Sequence, residues 1–483
     1  MIKPLSLLPA GLALGLVGCT LAPKYQQPAA PVPAEWPTGP AYAETGTVKN
    51  PQEIRTLPWP DFFPDEGLRR VIALALENNR DLQLAALNVQ RARAIHGIQR
   101  AALLPTVDAV GRMSRQRTPA DLSSSGRSQT TERWDANLGV ASWEIDFFGR
   151  LRSLKDRALE EYLASEQAHR SAQIMLVSSV ATAYLALAAD RESLTLAGDT
   201  LQTQQDVLRL AQRRFDLGLV TELDLRRAQT QVETARGDMA DLTRQVAQDE
   251  NALNLLLGTP CSPELLPPNL AAVQPPAGVQ PGLSSAVLLQ RPDVLQAEHL
   301  LKAANADIGA ARAAFFPRIS LTTAIGTASS DLSGLFKSGA GAWSYAPQIV
   351  MPIFDARTWS AHRAAKVQQE IAVKQYEQAI QSAFREVADT LAFRGTVDER
   401  VAAQQSLVEA VTATSRLATS RYDKGIDSYL GVLDAQRSLY TARQGLVFLQ
   451  FAKRANDVRL YAVLGGGGQP TEKVETLAKS QAH

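Results

Sequence analysis

The side chain best placed for covalent chemistry is Cys19, one of only two cysteines in 483 residues. It follows Lys3 and a short apolar run from Leu5 to Val17, the pattern of a secretory signal peptide. A cysteine after a small residue at the end of such a run is typical of a lipobox, in which the thiol is acylated and becomes the mature N-terminus. The alternative is an ordinary cleavage site beside a chance cysteine. The sequence therefore predicts a signal peptide over residues 1–18 and a covalent lipid on Cys19.

The remaining reactive side chains show no pattern of catalysis or metal binding. The five histidines are scattered without ligand spacing, and no Gly-rich phosphate loop or nucleophile motif stands out. Cys261 has no obvious partner after processing, which excludes a disulfide framework. The net charge of +1 gives no electrostatic reason to expect nucleic acid as a partner. We therefore expect no enzyme, no metal site and no cofactor besides the lipid.

Two copies of one long hairpin make up most of the chain. The segment from Arg421 to Gly425 matches Arg214 to Gly218, 207 residues earlier. In each copy a helix is predicted to end at the glycine, which best supplies the positive φ of a helix C-terminus. In the second copy Asp427 or Ser428 is expected to cap the next helix.

A shorter helix and a β-hairpin also repeat. Asp81–Pro105 and Asp293–Pro317 have the same length, with an offset of 212. After each proline, apolar and polar residues alternate with a period of two, which predicts strands. Hairpins are expected at about 105–148 and about 317–354, with returning strands that begin at Trp134 and run from Trp343 to Phe354.

Strands of this kind are better suited to a membrane than to water. Their length, alternation and bounding tryptophans are typical of a transmembrane β-barrel, which needs about eight strands or more because no edge can stay unpaired in lipid. The four predicted strands of one chain cannot close a barrel, whereas three chains would contribute twelve. The alternative is a pair of soluble β-hairpins that cap a helical bundle.

Long helices carry the strongest periodicity. An apolar residue recurs at every seventh position on both sides of the first tip: Leu187, Leu194, Leu201, Leu208 and Phe215, then Leu225, Val232, Met239, Val246 and Leu253. Strict sevens predict left-handed supercoiling of helices against each other. The helix from about Leu154 to Leu217 would be on the order of 95 Å long at ~1.5 Å per residue, which suits a stave in a tube. The predicted fold class is mostly α with β, internally duplicated.

The predicted organisation follows from these repeats and from proline content. An extended, poorly packed arm is expected over 19–60 and a first repeat over 61–260. A Pro-rich linker over 261–284 leads to a second repeat over 285–465 and a polar tail over 466–483.

Five motifs spread over nearly the whole chain carry a family resemblance. They are Leu-Glu-Asn-Asn-Arg-Asp-Leu at 76–82, Trp-Glu-Ile-Asp-Phe-Phe-Gly-Arg-Leu-Arg-Ser at 143–153, Gln-Arg-Pro-Asp at 290–293, Ala-Ala-Arg-Ala-Ala-Phe-Phe-Pro at 310–317 and Leu-Asp-Ala-Gln-Arg at 433–437. With them the chain resembles the outer-membrane efflux-channel lipoproteins of the OprM type, relatives of TolC. Thr20 stands where many Gram-negative lipoproteins retained at the inner membrane have aspartate, so the outer membrane is expected.

The resemblance implies an architecture and partners. A homotrimer would form a twelve-stranded transmembrane β-barrel that continues into an α-barrel of long coiled-coil helices across the periplasm. The chain would be the exit duct of a tripartite multidrug efflux pump. Its partners would be outer-membrane lipid, a periplasmic adaptor and an inner-membrane transporter of the resistance-nodulation-division type.

The resemblance also implies a gate. The family's closed state narrows at the periplasmic tip, at positions that match Leu430, Asp434 and Arg437, with Tyr422 nearby. At about 100° per residue, these three residues share a stripe roughly 140–200° around the helix from the seam residue Val432. The alternative for Asp434 is a carboxylate that the N-terminal helix dipole stabilises.

The first repeat differs from the second at the corresponding positions. It carries Leu223, Arg227 and Thr230, so the two tips are not electrically equivalent. A second tip aspartate of TolC corresponds to Gly431, which argues against a double ring of aspartates.

Two other functions fit the same features. A duct for protein secretion would have the same architecture, but relatives with that function commonly lack the lipid. A lipid-anchored periplasmic coiled-coil scaffold without a pore would form no channel in a planar bilayer. The exported compounds cannot be read from the chain, because selection is expected to lie with the inner-membrane transporter.

Overall fold

The computed structural model describes residues 20–42, 57–277 and 284–466. The signal peptide, Cys19 and residues 467–483 of the tail lie outside the described residues. In chain order the helices and strands are α1 (Trp59–Phe62), α2 (Glu66–Asn78), α3 (Arg80–Ala101), β1 (Val107–Thr118), β2 (Gln129–Ile145), α4 (Arg150–Asp216), α5 (Glu222–Leu257), α6 (Pro292–Ala313), β3 (Arg318–Ser329), β4 (Gly341–Val350), α7 (Ala356–Asp423) and α8 (Tyr429–Val463). Short 3₁₀ turns follow α5, precede α6 and lie between β3 and β4.

The chain divides into two compact units. The first, called the sheet unit, contains Asn88–Ser165, Gln296–Tyr376 and the arm as far as Ala29. The second, called the tip unit, contains Ala30–Leu87, Glu166–Leu295 and the residues from Glu377 onward.

The sheet unit holds one antiparallel sheet in the order β1-β2-β3-β4. Residues that lie opposite each other across the ladder share a face. One face is largely apolar: Val107, Ala109, Gly111, Met113, Trp134, Ala136, Leu138, Val140, Ile319, Leu321, Thr323, Ile325, Trp343, Tyr345, Pro347 and Ile349. The other face is largely polar: Asp108, Arg112, Ser114, Arg133, Asp135, Asn137, Ser320, Thr322, Ser344 and Gln348. The alternation predicted from the sequence is confirmed.

A β-bulge keeps a tryptophan on the apolar face. Val140 lies opposite Thr323 and Trp143 lies opposite Leu321, so β2 has one residue more than β3 between these pairs. Ser142 absorbs the extra residue with φ of 59°, a left-handed conformation that is uncommon outside glycine. Without the bulge, the pleat would turn Trp143 to the polar face.

Two strand limits differ from the prediction. β2 begins at Gln129 rather than at Trp134, because its first polar residues pair with the end of β1. β4 ends at Val350 rather than at Phe354. Pro352 explains the early end, since proline has no N–H to donate to a ladder.

The long helices are present, and the predicted seam is buried only in part. α4 has 67 residues and α7 has 68. Leu187, Val232 and Leu253 are buried, whereas Phe215 and Met239 stay exposed. One stretch of α4 is long and apolar enough to cross a membrane, but 61% of it is buried inside the chain, which is typical of a core helix.

The two repeats close by equivalent contacts. Asn79, just before α3, donates from Nδ2 to the carbonyl oxygen of Leu256 at 2.9 Å. Arg291, just before α6, donates from Nη1 to the carbonyl oxygen of Val463 at 2.8 Å. Both side chains are buried. Each therefore satisfies a carbonyl at the end of a long helix, where intrahelical donors run out.

Arg291 also binds two carboxylates. Its guanidinium donates to Asp293 at 3.0 and 2.7 Å and to Glu386 on α7 at 2.8 Å. Sequence reasoning found Arg291 only as part of a motif and missed this role. The paired offsets of 212 and 207 would have revealed it, since they align Asn79 with Arg291 and Leu256 with Val463.

The arm is extended, as predicted, but its described part is packed rather than loose. Pro23 accepts a hydrogen bond from Asn305 at 2.8 Å, and Tyr25 donates to the buried Glu298 at 3.2 Å. A Cβ on Gly309 would lie 2.8 Å from both the nitrogen and the Cβ of Ala22, so α6 has a glycine where the arm crosses it. These polar partners lie on α6 and could not be paired with the arm from the sequence alone.

Two other segments contribute to the core. Phe62 and Phe63 are buried, and Phe62 stacks on Tyr461 at 4.0 Å between ring centroids. Leu270, in the segment expected to be a linker, is fully buried, and its carbonyl accepts a hydrogen bond from Arg454. High proline content here marks a packed extended segment rather than a loose connection.

A carboxyl pair lies between α4 and α5. Burial, followed by the neighbouring Asp249, raises the pKa of Asp190 to about 7, because both effects disfavour the charged form. Gln245 donates to Asp249 Oδ1 at 3.0 Å, whereas Asp249 Oδ2 is buried without a hydrogen-bond partner.

Candidate functional site

The two hairpin tips share one backbone turn. Gly218 and Gly425 have φ of 72° and 75°, the left-handed conformation that ends a helix without steric cost at glycine. In the first tip Leu219 N donates to Arg214 O, and in the second Ile426 N donates to Arg421 O. The predicted helix ends are therefore confirmed in both copies.

The caps of the following helices differ. Thr221 begins α5 with a capping box, in which its hydroxyl accepts from Asp224 N and the Asp224 side chain accepts from Thr221 N. Ser428 is the N-cap of α8 but makes no side-chain cap. Asp427 accepts two hydrogen bonds from Arg421, at 2.5 and 3.0 Å. The predicted side-chain cap by Asp427 or Ser428 is therefore wrong, because the guanidinium binds the carboxylate across the turn.

An apolar cluster holds the two tips together. We call it the tip cluster, and its buried members are Ala211, Leu225, Ala228, Tyr429, Val432 and Leu433. Val207, Leu208, Ala418 and Tyr422 pack against it. Each of the four long helices contributes to it, so one hairpin cannot shift without disturbing the other.

Tyr422 lies at the edge of the tip cluster rather than in the open. Its ring centroid is 5.3 Å from that of Tyr429 and 5.2 Å from the guanidinium carbon of Arg214. Burial, followed by Tyr422 and Asp224, raises the pKa of Tyr429 to about 12. Sequence reasoning missed Tyr429, although its place three residues before the Val432 seam position puts it on the packed face.

The predicted gate stripe is exposed. Leu430 is 47% exposed, and Asp434 and Arg437 are also exposed, whereas Val432 is buried. Among the residues that the structure describes, neither Asp434 nor Arg437 takes part in an ion pair. The stripe therefore presents an apolar group and two opposite charges that are available to another copy of the chain.

The first-repeat tip presents a different surface. Leu223 is exposed, and Arg227 lies 3.7 Å from Asp224 on its own helix. Thr230 donates its hydroxyl to the carbonyl of Arg226 at 2.9 Å. Its charges are therefore engaged locally.

The residues that could bind a metal ion or act as a nucleophile form no cluster within the described part of the chain. No group of three or more His, Cys, Asp or Glu side chains there could hold a metal ion. Cys261 is half-buried, and burial followed by Glu250 raises the pKa of its thiol. A raised pKa disfavours the thiolate and hence reactivity.

A family model described as "Outer membrane efflux protein" matches residues 71–259 and 283–466, one match per repeat. The chain is 48% identical over 461 residues to the toluene efflux pump outer membrane protein TtgF of Pseudomonas putida, covering 94% of this chain and 95% of that protein. It is 42% identical over 472 residues to the cation efflux system protein CusC of Escherichia coli, covering 97% and 100%.

A solved structure is similar over the same extent. The open state of the Neisseria gonorrhoeae MtrE outer membrane channel has a TM-score of 0.83 and 36% sequence identity, covering 93% of this chain and 99% of that one.

Proposed function

Because the chain belongs to the outer membrane efflux protein family, we propose that it is the exit duct of a tripartite multidrug efflux pump. The duct is a passive channel in the outer membrane that the adaptor and the transporter open at its periplasmic tip. We propose no catalytic role.

The proposal rests on the β-sheet, whose apolar face and two edges are left uncovered by the described part of the chain. Its apolar face exposes Leu138, Ile325 and Trp343, and both β1 and β4 are edge strands. In water such a face and such edges would favour aggregation. In a membrane the apolar face contacts lipid, while the edges pair with those of other copies. Three copies give a closed barrel of about twelve strands, within the range of known membrane barrels.

The height of the apolar face fits a bilayer. Trp134 and Trp143 are the two tryptophans of this face on β2, and their partners Ser329 and Leu321 are eight residues apart on β3. At ~3.3 Å per residue this is about 26 Å along the strand. A tilt of about 40° reduces the height to roughly 20 Å, close to the ~25 Å apolar band between aromatic girdles.

The arm supports a lipid on Cys19. Leu21 O accepts a hydrogen bond from Arg312 at 3.1 Å, Ala22 touches Gly309, and Pro23 O accepts one from Asn305. Followed from Pro23 back to Leu21, the arm therefore runs along α6 toward the start of β3. Thr20 directly follows Cys19, so an acyl chain on Cys19 starts within about two residues of a segment fixed beside the membrane sheet.

The exposed stripe supports a gate at the second tip. We propose that Leu430, Asp434 and Arg437 meet their counterparts in the trimer and hold the pore shut until an adaptor engages. Tyr422 and the tip cluster orient the stripe. Arg227 is engaged locally with Asp224, so the first tip, with its exposed Leu223, is the less sensitive of the two.

A periplasmic adaptor and an inner-membrane transporter of the resistance-nodulation-division type are the proposed partners. The relatives named above belong to a toluene pump and to a cation system. We infer that cargo choice lies with the transporter. The two family matches also support the two-repeat organisation with limits near 61–260 and 285–465.

Reconstitution tests the proposal. The full chain, purified with its lipid, is placed in a planar bilayer while its subunit number is determined by mass. We expect heat-sensitive trimers with discrete channel openings. A monomer or dimer without conductance would favour the scaffold. A conducting trimer without fatty acid on Cys19 would favour the alternative function, a duct for protein secretion.

A further inference from the structure

A groove of about 440 Å³ runs between the arm, α6 and α7 within the sheet unit. This volume lies within the ~300–1,000 Å³ that is usual for small-molecule sites. Its charged lining residues are Lys24, Arg312, Lys366 and Glu370, so positive charge predominates. Its apolar lining residues include Leu301, Ile308 and Val373.

The three cations are not neutralised by the chain. Arg312 donates to the Leu21 carbonyl, and among the described residues neither it nor Lys24 nor Lys366 enters an ion pair. Lys302, ten residues before Arg312 on α6, differs, because its ammonium lies 2.8 Å from the carboxylate of Glu298. The groove therefore carries uncompensated positive charge, which favours the binding of an anion.

A neighbouring histidine is affected by the same field. The imidazole of His362 has its pKa lowered, first by burial and then by Lys366 and Arg312. Its Nδ1 is buried without a hydrogen-bond partner. Glu370 is the single acidic residue among those that line the groove. A bound anion would therefore add negative charge and offset the repulsion of protonated His362 by Lys366 and Arg312.

The groove lies next to an interfacial anchor. Trp359 is 68% exposed and packs edge-on against Phe315 at 5.0 Å, the setting of an aromatic residue at a membrane surface. Ile353 and Phe354, which precede α7, are each 89% exposed. Lys366 is seven residues beyond Trp359, about 10 Å along the helix, at headgroup depth if Trp359 lies at the interface.

We propose that this groove binds the phosphate of an anionic phospholipid, such as phosphatidylglycerol, from the inner leaflet of the outer membrane. Lys24, Arg312 and Lys366 contact the phosphate oxygens, to which ammonium and guanidinium groups donate charge-assisted hydrogen bonds. The apolar lining residues accommodate the glycerol and the first methylenes. Free phosphate shares the anionic chemistry but cannot use this apolar lining. The inference depends on the proposed placement of the sheet in the membrane.

Native mass spectrometry of the detergent-solubilised full chain provides the test. Phosphatidylglycerol, phosphatidylethanolamine and inorganic phosphate are added separately, and retained adducts are counted. The groove variant carries Lys24→Gln and Lys366→Gln and keeps Arg312, which holds the arm. The control variant carries Arg226→Gln and Arg244→Gln, the same loss of charge on the exposed face of α5.

We expect wild type to retain phosphatidylglycerol over phosphatidylethanolamine, with an approximately tenfold loss in the groove variant and none in the control. Equal retention by wild type and the groove variant would overturn the proposal. So would retention of inorganic phosphate with no preference between the two lipids. Channel conductance is recorded on the same samples, so that a conducting protein without lipid preference refutes the groove and leaves the duct intact.

Discussion

The guanidinium of Arg291 lies 2.8 Å from the carbonyl oxygen of Val463, joining the first residues of the second repeat to the last turn of its final helix. Asn79 makes the equivalent contact with Leu256 in the first repeat. The same structural task is therefore met by a charged side chain in one copy and by a neutral one in the other. The difference has a measurable consequence for stability.

We expect Arg291→Ala to lower the free energy of unfolding by about 2–4 kcal/mol, because Asp293, Glu386 and a helix-terminal carbonyl lose their donor. Asn79→Ala should cost about 1–3 kcal/mol. Denaturant unfolding in micelles measures both. Arg236→Ala, which removes an exposed pair with Glu233, should cost no more than about 1 kcal/mol. Similar losses in all three variants would contradict a special role for Arg291.

The two faces of the sheet can be tested with adjacent residues. Leu138 lies on the apolar face and Asn137 on the polar face of the same strand. Leu138→Arg should cost about 2–4 kcal/mol near the bilayer midplane, whereas Asn137→Arg should be tolerated in a water-filled lumen. The measurement is trimer yield in the outer membrane, followed by unfolding from micelles. Equal yields would argue against lipid contact at Leu138.

The gate predicts an asymmetry between the tips. Leu430→Ala and Asp434→Ala should each raise closed-state conductance several-fold, because each removes a contact from the exposed stripe. Leu223→Ala, at the matching place of the first repeat, is the control and should change it less. Single-channel recording decides the matter. Closed-state conductance equal to wild type in both second-tip variants would refute the gate.

The arm can cross α6 closely at Gly309 because glycine has no side chain. Gly309→Ala places a Cβ 2.6 Å from Ser153 Oγ and 2.8 Å from Ala22, and we expect a loss of about 1–3 kcal/mol. The arm should also become cleavable by trypsin after Lys24. Gly97→Ala on α3 is the matched control, since its Cβ would meet nothing within 4 Å. That change should be neutral or stabilise by up to about 1 kcal/mol.

The carboxyl pair predicts a pH dependence. The pKa of Asp190 is about 7 in the folded chain and 3.8 for the free group, so between these values the folded state holds the extra proton. Its contribution to stability is therefore present below about pH 4 and is lost as the pH rises toward 7. Asp249→Asn should remove this dependence, because an amide can donate to the Asp190 carboxylate.

Thermal unfolding between pH 4 and 8 checks the carboxyl pair. Asp199→Asn, on an exposed position of α4, serves as the control and should keep the wild-type profile. A profile of Asp249→Asn that parallels wild type would mean that the proton is held elsewhere.

Local pattern was sufficient for most elements. The long helices, the four strands and the two tip glycines follow from periods of seven and two and from repeated glycines, which are properties of neighbouring residues. The family resemblance selected Leu430, Asp434 and Arg437, and helical spacing placed them on one stripe, which the structure leaves exposed.

Long-range partners could not be obtained from pattern. The bulge at Ser142 depends on how β2 aligns with β3, and the helix cap expected from Asp427 fails because Arg421 lies six residues before it across the turn. The packed arm and the buried Leu270 have the prolines of a loose segment, but their stability comes from contacts with helices far along the chain. Sequence spacing contains no information about such contacts.

The open edges of β1 and β4 also bear on how the protein is made. In the proposed trimer, the edge strands and the apolar face of a newly exported chain gain partners only when two other copies bind, so this association is the final step of folding. The stability of the sheet then depends on how many copies are present. During transit through the periplasm the edge strands are unpaired, so slow association of the copies would favour aggregation.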